Sequence, residues 1–299
     1  MLGNQCVALM GDWVIVTVVS ILKYQALGND FLVFLDPSEV PGTESADADF
    51  VVAVCDRHSG VGADGILVAR PVATDGSERP PDVRLELRNA DGGRAETSGN
   101  GIRCLALALV DAGVVAGPDV LVGTDAGPRL VNVIERSGCG TAMVRTEMGI
   151  LEVGEAEPAP LLGSGFSARH VDAGNPHIVL MGASLDDVDI AVIGRSLEHA
   201  RPGGQNVEII APDGRGGLDL VVWERGAGLT QACGTGSCAA AAAARAASLV
   251  GDRVEVHNPG GTLVVELSGD AGAPRVWLSG PATRVLSGEL LLSEIDVLG

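Results

Sequence analysis

Two glycine-rich stretches of the chain decide its fold: residues 95–104 read AETSGNGIRC, and residues 230–238 read TQACGTGSC. In each, a small side chain with a nucleophilic atom precedes the glycines, and an apolar or alanine-rich run without proline follows. Such runs have high helix propensity, so each stretch predicts a loop that opens into a helix. Ser98 holds the position in the first stretch that Cys233 holds in the second.

The surroundings of the two stretches are also alike, which indicates an internal duplication. Asn89 lies nine residues before Ser98, Glu224 lies nine residues before Cys233, and each interval opens on a glycine turn. A second shared turn lies further upstream, LGND at residues 27–30 and AGNP at residues 173–176. The matching positions are too far apart for a solenoid repeat. We therefore expect two similar halves that face each other across a cleft.

Short strands and helices alternate in both halves. Alternating or continuous apolar runs predict strands at residues 30–35, 83–87, 177–182 and 218–224, and a hairpin at 254–267. Helical spacing predicts helices at residues 48–57, 102–110, 184–200 and 237–250.

Length and composition exclude several classes of function. The 299 residues allow one or two domains, and the net charge of −19, with Lys23 the only lysine, argues against binding to nucleic acid or to an anionic membrane surface. Six cysteines without a C-x-x-C pair or zinc spacing indicate a reduced, cytoplasmic protein with no metal site. The apolar run at residues 13–22 is too short to span a bilayer and lacks signal-peptide flanks.

The paired loops suggest a particular chemistry. Glycines let backbone N–H groups approach a ligand, and the start of a helix carries partial positive charge, so each loop suits a carboxylate or phosphate. The same field predicts a pKa for Cys233 well below that of a free thiol. Two such loops in one cleft would place an acid/base group on each side of one carbon, which is what a stereoinversion requires. With a single lysine, a pyridoxal Schiff base is improbable, and an amino-acid racemase without cofactor is the favoured interpretation.

A phosphate-binding function is the weaker alternative for glycine loops of this kind. The chain has neither a P-loop lysine nor a G-x-G-x-x-G motif placed after a strand.

A longer series of motifs makes the sequence recognisable. They are ALGNDF (26–31), DRHSGVGADG (56–65), RNADG (88–92), SGNG (98–101), GNPH (174–177), QNVE (205–208), ERGAGLTQACGTG (224–236) and PGG (259–261). In these the chain resembles the diaminopimelate epimerase family from about residue 22 to its C-terminal region. The resemblance implies a cofactor-independent isomerase that interconverts LL- and meso-2,6-diaminoheptanedioate for lysine and peptidoglycan synthesis.

The resemblance also implies site residues and an architecture. The two acid/base positions of the family fall on Ser98 and Cys233, with His177 and Glu224 as their supporting groups. The implied substrate contacts are Asn29, Asn89, Gly99, Asn100, Asn175, Asn206, Glu224, Arg225, Gly234 and Thr235. The implied fold is α/β (α+β), with two pseudo-symmetric domains, each a mixed sheet wrapped round a central helix, and with the active site in the cleft between them. Its domains would be residues 22–148 plus 283–299 and residues 149–282, behind a leader at 1–21 without function, and the family suggests a homodimer.

Two positions depart from the family pattern. Ser98 replaces the first catalytic cysteine, and Leu229 stands where the family usually has glutamate. A hydroxyl is a much weaker acid than a thiol, and a serine base needs an activating neighbour, for which His177 is a candidate. Three interpretations stay open: an epimerase that uses serine, a racemase of a related amino acid, or a catalytically weak homologue that retains substrate binding.

Overall fold

A computed structural model describes residues 4–9, 12–42, 45–72, 79–95, 98–138, 140–159, 166–185 and 188–293. Its eighteen strands in these ranges form one continuous hydrogen-bonded sheet that passes through both halves of the chain. Four α-helices accompany the sheet in the described ranges, two of them inside it and two against its outer surface.

The first half is a sheet that closes around one helix. Its strands are β1 (Asn4–Leu9), β2 (Asp12–Ala26), β3 (Asn29–Phe34), β4 (Gly65–Arg70), β5 (Val83–Asn89), β6 (Asp119–Thr124), β7 (Gly127–Ser137) and β8 (Thr141–Ile150), and its helices are α1 (Ala48–Cys55) and α2 (Gly99–Asp111). Every residue of α2 from Gly99 to Leu109 is buried. A helix without a solvent-facing side needs partners all round it, and the closed sheet supplies them.

The second half repeats this plan. Its strands are β9 (Glu152–Val153), β10 (Glu157–Pro158), β11 (Ser167–Asp172), β12 (Pro176–Met181), β13 (Asn206–Pro212), β14 (Leu218–Glu224), β15 (Gly228–Leu229), β16 (Arg253–Asn258), β17 (Gly261–Ser268) and β18 (Arg275–Ser293), and its helices are α3 (Ile190–Glu198) and α4 (Gly234–Ala246). Alanines fill α4, so the strands can pack closely against a thin helix whose residues 234–244 are all buried.

The strand pairing confirms the predicted fold class. β3 and β4 pair in parallel within an otherwise mainly antiparallel circuit, and β12 and β13 pair in parallel at the equivalent place. Each mixed sheet encloses one central helix, α2 or α4, and carries one outer helix, α1 or α3.

β18 joins the two halves at the C-terminal end. Its first part pairs with β17, and its residues from Thr283 to Ser293 pair with β2 of the first half. β2 starts at Asp12 and forms a hairpin with β1, so much of the expected leader at 1–21 is strand. Residues 1–3, 10–11 and 294–299 lie outside the described residues, and the expectation that the leader carries no function stays a prediction.

The helix expected at residues 184–200 is shorter than the spacing predicts. Helix α3 begins at Ile190 because Asp189 caps it, its carboxylate accepting hydrogen bonds from the backbone N–H groups of Ala191 and Val192. The other predicted elements lie within a few residues of their expected places. Within the described ranges, the helices fall short of the length and apolarity that crossing a membrane would need.

Candidate active site

The two central helices meet at their N-termini. A β-carbon on Gly99 would lie 3.3 Å from the Cα of Gly234, and one on Gly234 would lie 3.1 Å from the Cα of Gly99. The backbones approach this closely because neither residue has a side chain. The residues that precede these glycines, Ser98 and Cys233, are therefore brought to the junction of the halves.

Ser98 and Cys233 have the same local geometry. Each is the N-cap of its helix in extended conformation. The Ser98 Oγ accepts a hydrogen bond from the N–H of Gly101 at 3.0 Å, and the Cys233 Sγ accepts one from the N–H of Gly236 at 3.3 Å. Other N–H groups in each first turn have no partner within the helix, so both helices can direct N–H groups and positive partial charge at a bound anion.

Asn100 connects the two halves across this junction. Its Nδ2 donates to the backbone oxygen of Ala232 at 3.2 Å and lies 3.3 Å from the Oδ1 of Asn29. Its Oδ1 accepts a hydrogen bond from the buried guanidinium of Arg103 at 2.7 Å. Burial lowers the pKa of Arg103 to about 10. The side chain of Asn100, an expected substrate contact, is thus engaged with protein groups.

Two acidic side chains, Glu224 and Glu208, lie near Cys233. The Glu224 carboxylate lies near the thiol and accepts a hydrogen bond from the Thr230 hydroxyl at 2.5 Å. Burial, together with the charges of Glu224 and Glu208, raises the pKa of Cys233 well above its usual value. The expectation of a lowered thiol pKa is therefore wrong, because burial and nearby carboxylates outweigh the helix field. Burial also raises the pKa of Glu224, which makes it a better proton acceptor for the thiol.

His177 belongs to the Cys233 side of the site. It is fully buried, its Nδ1 lies 2.7 Å from the Oε1 of Glu208, and its Nε2 lies 2.9 Å from the Oδ1 of Asn175. Both ring nitrogens are thus engaged. The structure leaves neither of them for Ser98, the residue that His177 was expected to activate.

Among the residues that the structure describes, the strand beneath Ser98 differs in charge from the strand beneath Cys233. A β-carbon on Gly101 would lie 3.1 Å from the Leu67 Cδ2, whereas one on Gly236 would lie 2.7 Å from the Glu208 Oε1. Leu67 and Glu208 are equivalent, since each is the third residue of the strand that pairs in parallel with β3 or β12. An apolar side chain below Ser98 therefore replaces the carboxylate below Cys233.

Of the remaining predicted residues, Asn89 and Asn206 lie at strand ends, Arg225 directly follows β14, and Thr235 lies in the first turn of α4. Asn89 ends β5 and is exposed, while Thr235 is buried with its hydroxyl 3.5 Å from the Cys233 Sγ. The Oδ1 of Asn206 accepts a hydrogen bond from the N–H of Arg225 at 2.9 Å, which fixes the backbone at that arginine. Leu229, the position that departs from the family pattern, is 56% exposed on β15.

Sequence reasoning missed three residues that hold the site together. Glu208 and Arg103 are buried in it, and Asp64 accepts a hydrogen bond from the Asn29 Nδ2 at 2.8 Å. All three lie inside or beside the quoted motifs, and a charged residue between apolar neighbours was the available signal. Among the residues that the structure describes, no cluster of three or more His, Cys, Asp or Glu side chains is arranged to hold a metal.

Comparisons with known proteins agree with this geometry. The family model "Diaminopimelate epimerase" matches residues 21–150 and 169–285. A diaminopimelate epimerase of Synechococcus sp. (strain JA-3-3Ab) is 37% identical and covers 90% of this chain and 97% of its own. That of Corynebacterium glutamicum is 36% identical, with 90% and 96% coverage.

Solved structures share the fold at low sequence identity. A PhzF-family phenazine biosynthesis protein of Bacillus anthracis has a TM-score of 0.69 and 15% identity, covering 92% of this chain and 99% of its own. A hydroxyproline epimerase of Agrobacterium vitis has a TM-score of 0.64 and 17% identity, with 94% and 93% coverage. The paired helix caps, the collinear motifs and the extent of the sequence match lead to one conclusion: the chain belongs to the diaminopimelate epimerase family.

Proposed function

We propose that the protein is a diaminopimelate epimerase that interconverts the LL and meso forms of 2,6-diaminoheptanedioate without a cofactor. The observation that carries the proposal is the junction of the two helix caps, which sets Ser98 and Cys233 at the meeting point of the halves. One group removes the α-proton and the other returns a proton from the opposite face.

Cys233 and Glu224 form the stronger acid/base unit. The thiol is a weak acid in this buried setting, and the neighbouring Glu224 carboxylate can take its proton. The thiolate so formed can accept the α-proton of the substrate, and the reverse transfer returns a proton to the carbon. The helix N-termini stabilise the charge that develops on the carboxylate of the reacting centre.

Ser98 serves the other face, with a less favourable group. A serine hydroxyl lies far from the pKa that suits proton transfer at neutral pH, and its neighbours include Leu67 where Cys233 has Glu208. We therefore propose that proton transfer on the Ser98 face limits the rate of inversion.

The substrate contacts are proposed from the family positions and from chemistry. The guanidinium of Arg225 suits a carboxylate, and Asn29, Asn89 and Asn175 suit the ammonium and carboxylate of the distal centre. We also propose a homodimer that works in the cytoplasm, as the family resemblance and the cysteine pattern suggest.

A second candidate is an amino-acid-binding protein with little or no turnover. The serine at the first acid/base position, without an ionisable side chain at the Leu67 position, is the observation that favours it. A racemase of a related amino acid is the intermediate case, and its site would need the same two caps.

Proton exchange in D₂O tests these alternatives. Purified protein is incubated with LL-diaminopimelate, and NMR follows deuterium at the α-carbons together with formation of the meso isomer. The epimerase proposal requires both exchange and inversion. Exchange without inversion would mean that Cys233 works and Ser98 does not, and binding without exchange in a folded sample would refute epimerisation and support the second candidate.

A further inference from the structure

A chain of three side chains connects the interior of the second half to the cleft. The Oε1 of Glu208 lies 2.7 Å from the Nδ1 of His177, and the Nε2 of His177 lies 2.9 Å from the Oδ1 of Asn175. Glu208 and His177 are fully buried, whereas Asn175 is partly exposed in the turn before β12. The second oxygen of Glu208, Oε2, is buried and has no hydrogen-bond partner among the described residues.

Counting hydrogens along this chain links the state of the imidazole to that of Glu208: a carboxylic acid there would donate to Nδ1 of a neutral ring, and a carboxylate would accept from it. With Glu208 as a carboxylate, both ring nitrogens face acceptor oxygens, so each supplies the hydrogen that lies between it and its oxygen. A ring with hydrogen on both nitrogens is an imidazolium. A buried imidazolium needs an anionic partner, and the Glu208 carboxylate is that partner.

The equivalent asparagine in the first half is held the opposite way round. Asn29 uses its Nδ2 as donor to Asp64 at 2.8 Å, so its oxygen is turned towards Asn100. Asn175 uses its oxygen as acceptor from His177, so its amino group is left to point elsewhere. The turn of the first half thus holds its asparagine by the amino group, and the turn of the second half holds its asparagine by the oxygen.

We propose that Glu208 is a positioning residue: it holds His177 as a buried imidazolium, which fixes the Asn175 amide with its N–H₂ group available to a substrate carboxylate. Asn29, held through its amino group, keeps an acceptor oxygen on its side of the site. A zwitterionic amino-acid end needs donors for its carboxylate and acceptors for its ammonium. The role towards substrate rests on the proposed function, but the protonation of His177 does not.

The protonation of His177 is tested first, on the protein without substrate. The chain has five histidines, and His177 is the one that is fully buried. ¹⁵N NMR of histidine-labelled protein at neutral pH distinguishes imidazolium from either neutral tautomer, with His177→Gln to assign the signal. We expect hydrogen on both ring nitrogens of His177. A neutral ring in the folded wild-type protein would overturn the proposal.

Glu208→Gln then tests the positioning role. The substitution keeps the size of the side chain and removes its charge, so His177 should become neutral with hydrogen on Nδ1 alone. The bare Nε2 would then require a donor, and Asn175 would turn its amino group towards it. We expect the KM for diaminopimelate, or its Kd by calorimetry if turnover is too slow, to rise about tenfold, with kcat changed less.

Glu208→Leu is the matched variant, because the equivalent position in the first half is Leu67. It should also lose the imidazolium signal and weaken binding. If both variants bind substrate as tightly as the wild type while His177 is neutral, the positioning role is refuted. If the variants fail to fold, the wild-type spectrum still decides the protonation of His177, and an imidazolium in a protein without epimerase activity would refute the proposed function alone.

Discussion

The two halves of this molecule share a backbone and differ in where they keep their charges. Ser98 and Cys233 cap equivalent helices with equivalent hydrogen bonds. Below Cys233 lie Glu208 and His177, with Glu224 near the thiol, whereas below Ser98 lies Leu67. A duplicated fold thus keeps the geometry of two acid/base positions even when their chemistry has become unequal.

Carboxylates of the first half are instead used in ion pairs of the scaffold. Asp30 pairs with Lys23 and Arg57, and Glu86 pairs with Arg70 and Arg88. The carboxylates near Cys233 face titratable groups instead: Glu208 contacts the imidazole of His177, and Glu224 lies near the thiol. Asp30 and Glu86 thus stabilise the fold, whereas Glu224 is placed where it can take a proton.

Of the changes that test the difference between the two halves, removing the Cys233 thiol should have the largest effect on activity. Cys233→Ala takes away the stronger acid/base group, so we expect α-proton exchange with diaminopimelate to fall by about 10²–10⁴-fold. Deuterium incorporation measured by NMR checks this. Cys238→Ala, a buried cysteine on the same helix, is the matched control and should retain exchange. Equal activity in the two variants would contradict the role given to Cys233.

Restoring a thiol to the first half should make the two sides more alike. Because a thiol is a far stronger acid than a hydroxyl, Ser98→Cys should raise the rate of inversion about tenfold or more. Conversion of LL- to meso-diaminopimelate is the measurement, and Ser98→Ala serves as the negative reference. A rate for Ser98→Cys no higher than that of the wild type would mean that the Ser98 face does not limit inversion.

Forcing the two helix N-termini apart should lower the free energy of unfolding. We expect this effect to be smaller than those of the substitutions at Cys233 and Ser98 and larger than that of the substitution at Glu86. Gly234→Ala would press a methyl group against the backbone of Gly99 and against Leu278, so we expect a loss of about 1–3 kcal/mol in the free energy of unfolding. Urea unfolding measures it. Gly251→Ala is the control, because its β-carbon would meet no atom of the described residues within 4 Å. The helix propensity of alanine alone would predict a gain at Gly234, so the sign of the change is decisive.

The scaffold carboxylate Glu86 gives the smallest expected effect, and one that depends on pH. Burial alone would raise its pKa, but hydrogen bonds from Ser45, Ala46, Arg70 and Arg88 lower it to about 2, against 4.5 in the unfolded chain. Its contribution to stability is therefore complete above about pH 4.5 and is lost as the pH falls towards 2.

Glu86→Gln should accordingly destabilise the protein by about 1–2 kcal/mol at neutral pH, because the amide still accepts some of these hydrogen bonds. The difference from wild type should shrink as the pH falls below about 4.5. Urea unfolding at several pH values measures it, and a difference that is constant over this range would contradict the assignment.

The sequence was sufficient to predict the internal duplication. The Asn89–Ser98 and Glu224–Cys233 intervals have the same length, and each interval leads into a central helix. The sequence was not sufficient to predict the raised pKa of the Cys233 thiol, because the charge of Glu208 acts on Cys233 from a strand that is distant in sequence. The equivalence of Leu67 and Glu208 was also hidden, because unequal loops shift the spacing of the repeat between its motifs. Strand register, which the folded molecule alone supplies, reveals it.

The contact between Gly99 and Gly234 also restricts how the molecule can open. Two backbones this close cannot move closer, so halves that keep this contact can open only by rotating about it. A rotation displaces distant turns most and its own axis least. Ser98 and Cys233 are the residues next to the axis, so the protein can admit and release a ligand at its mouth while its two proton-handling atoms keep a nearly constant separation.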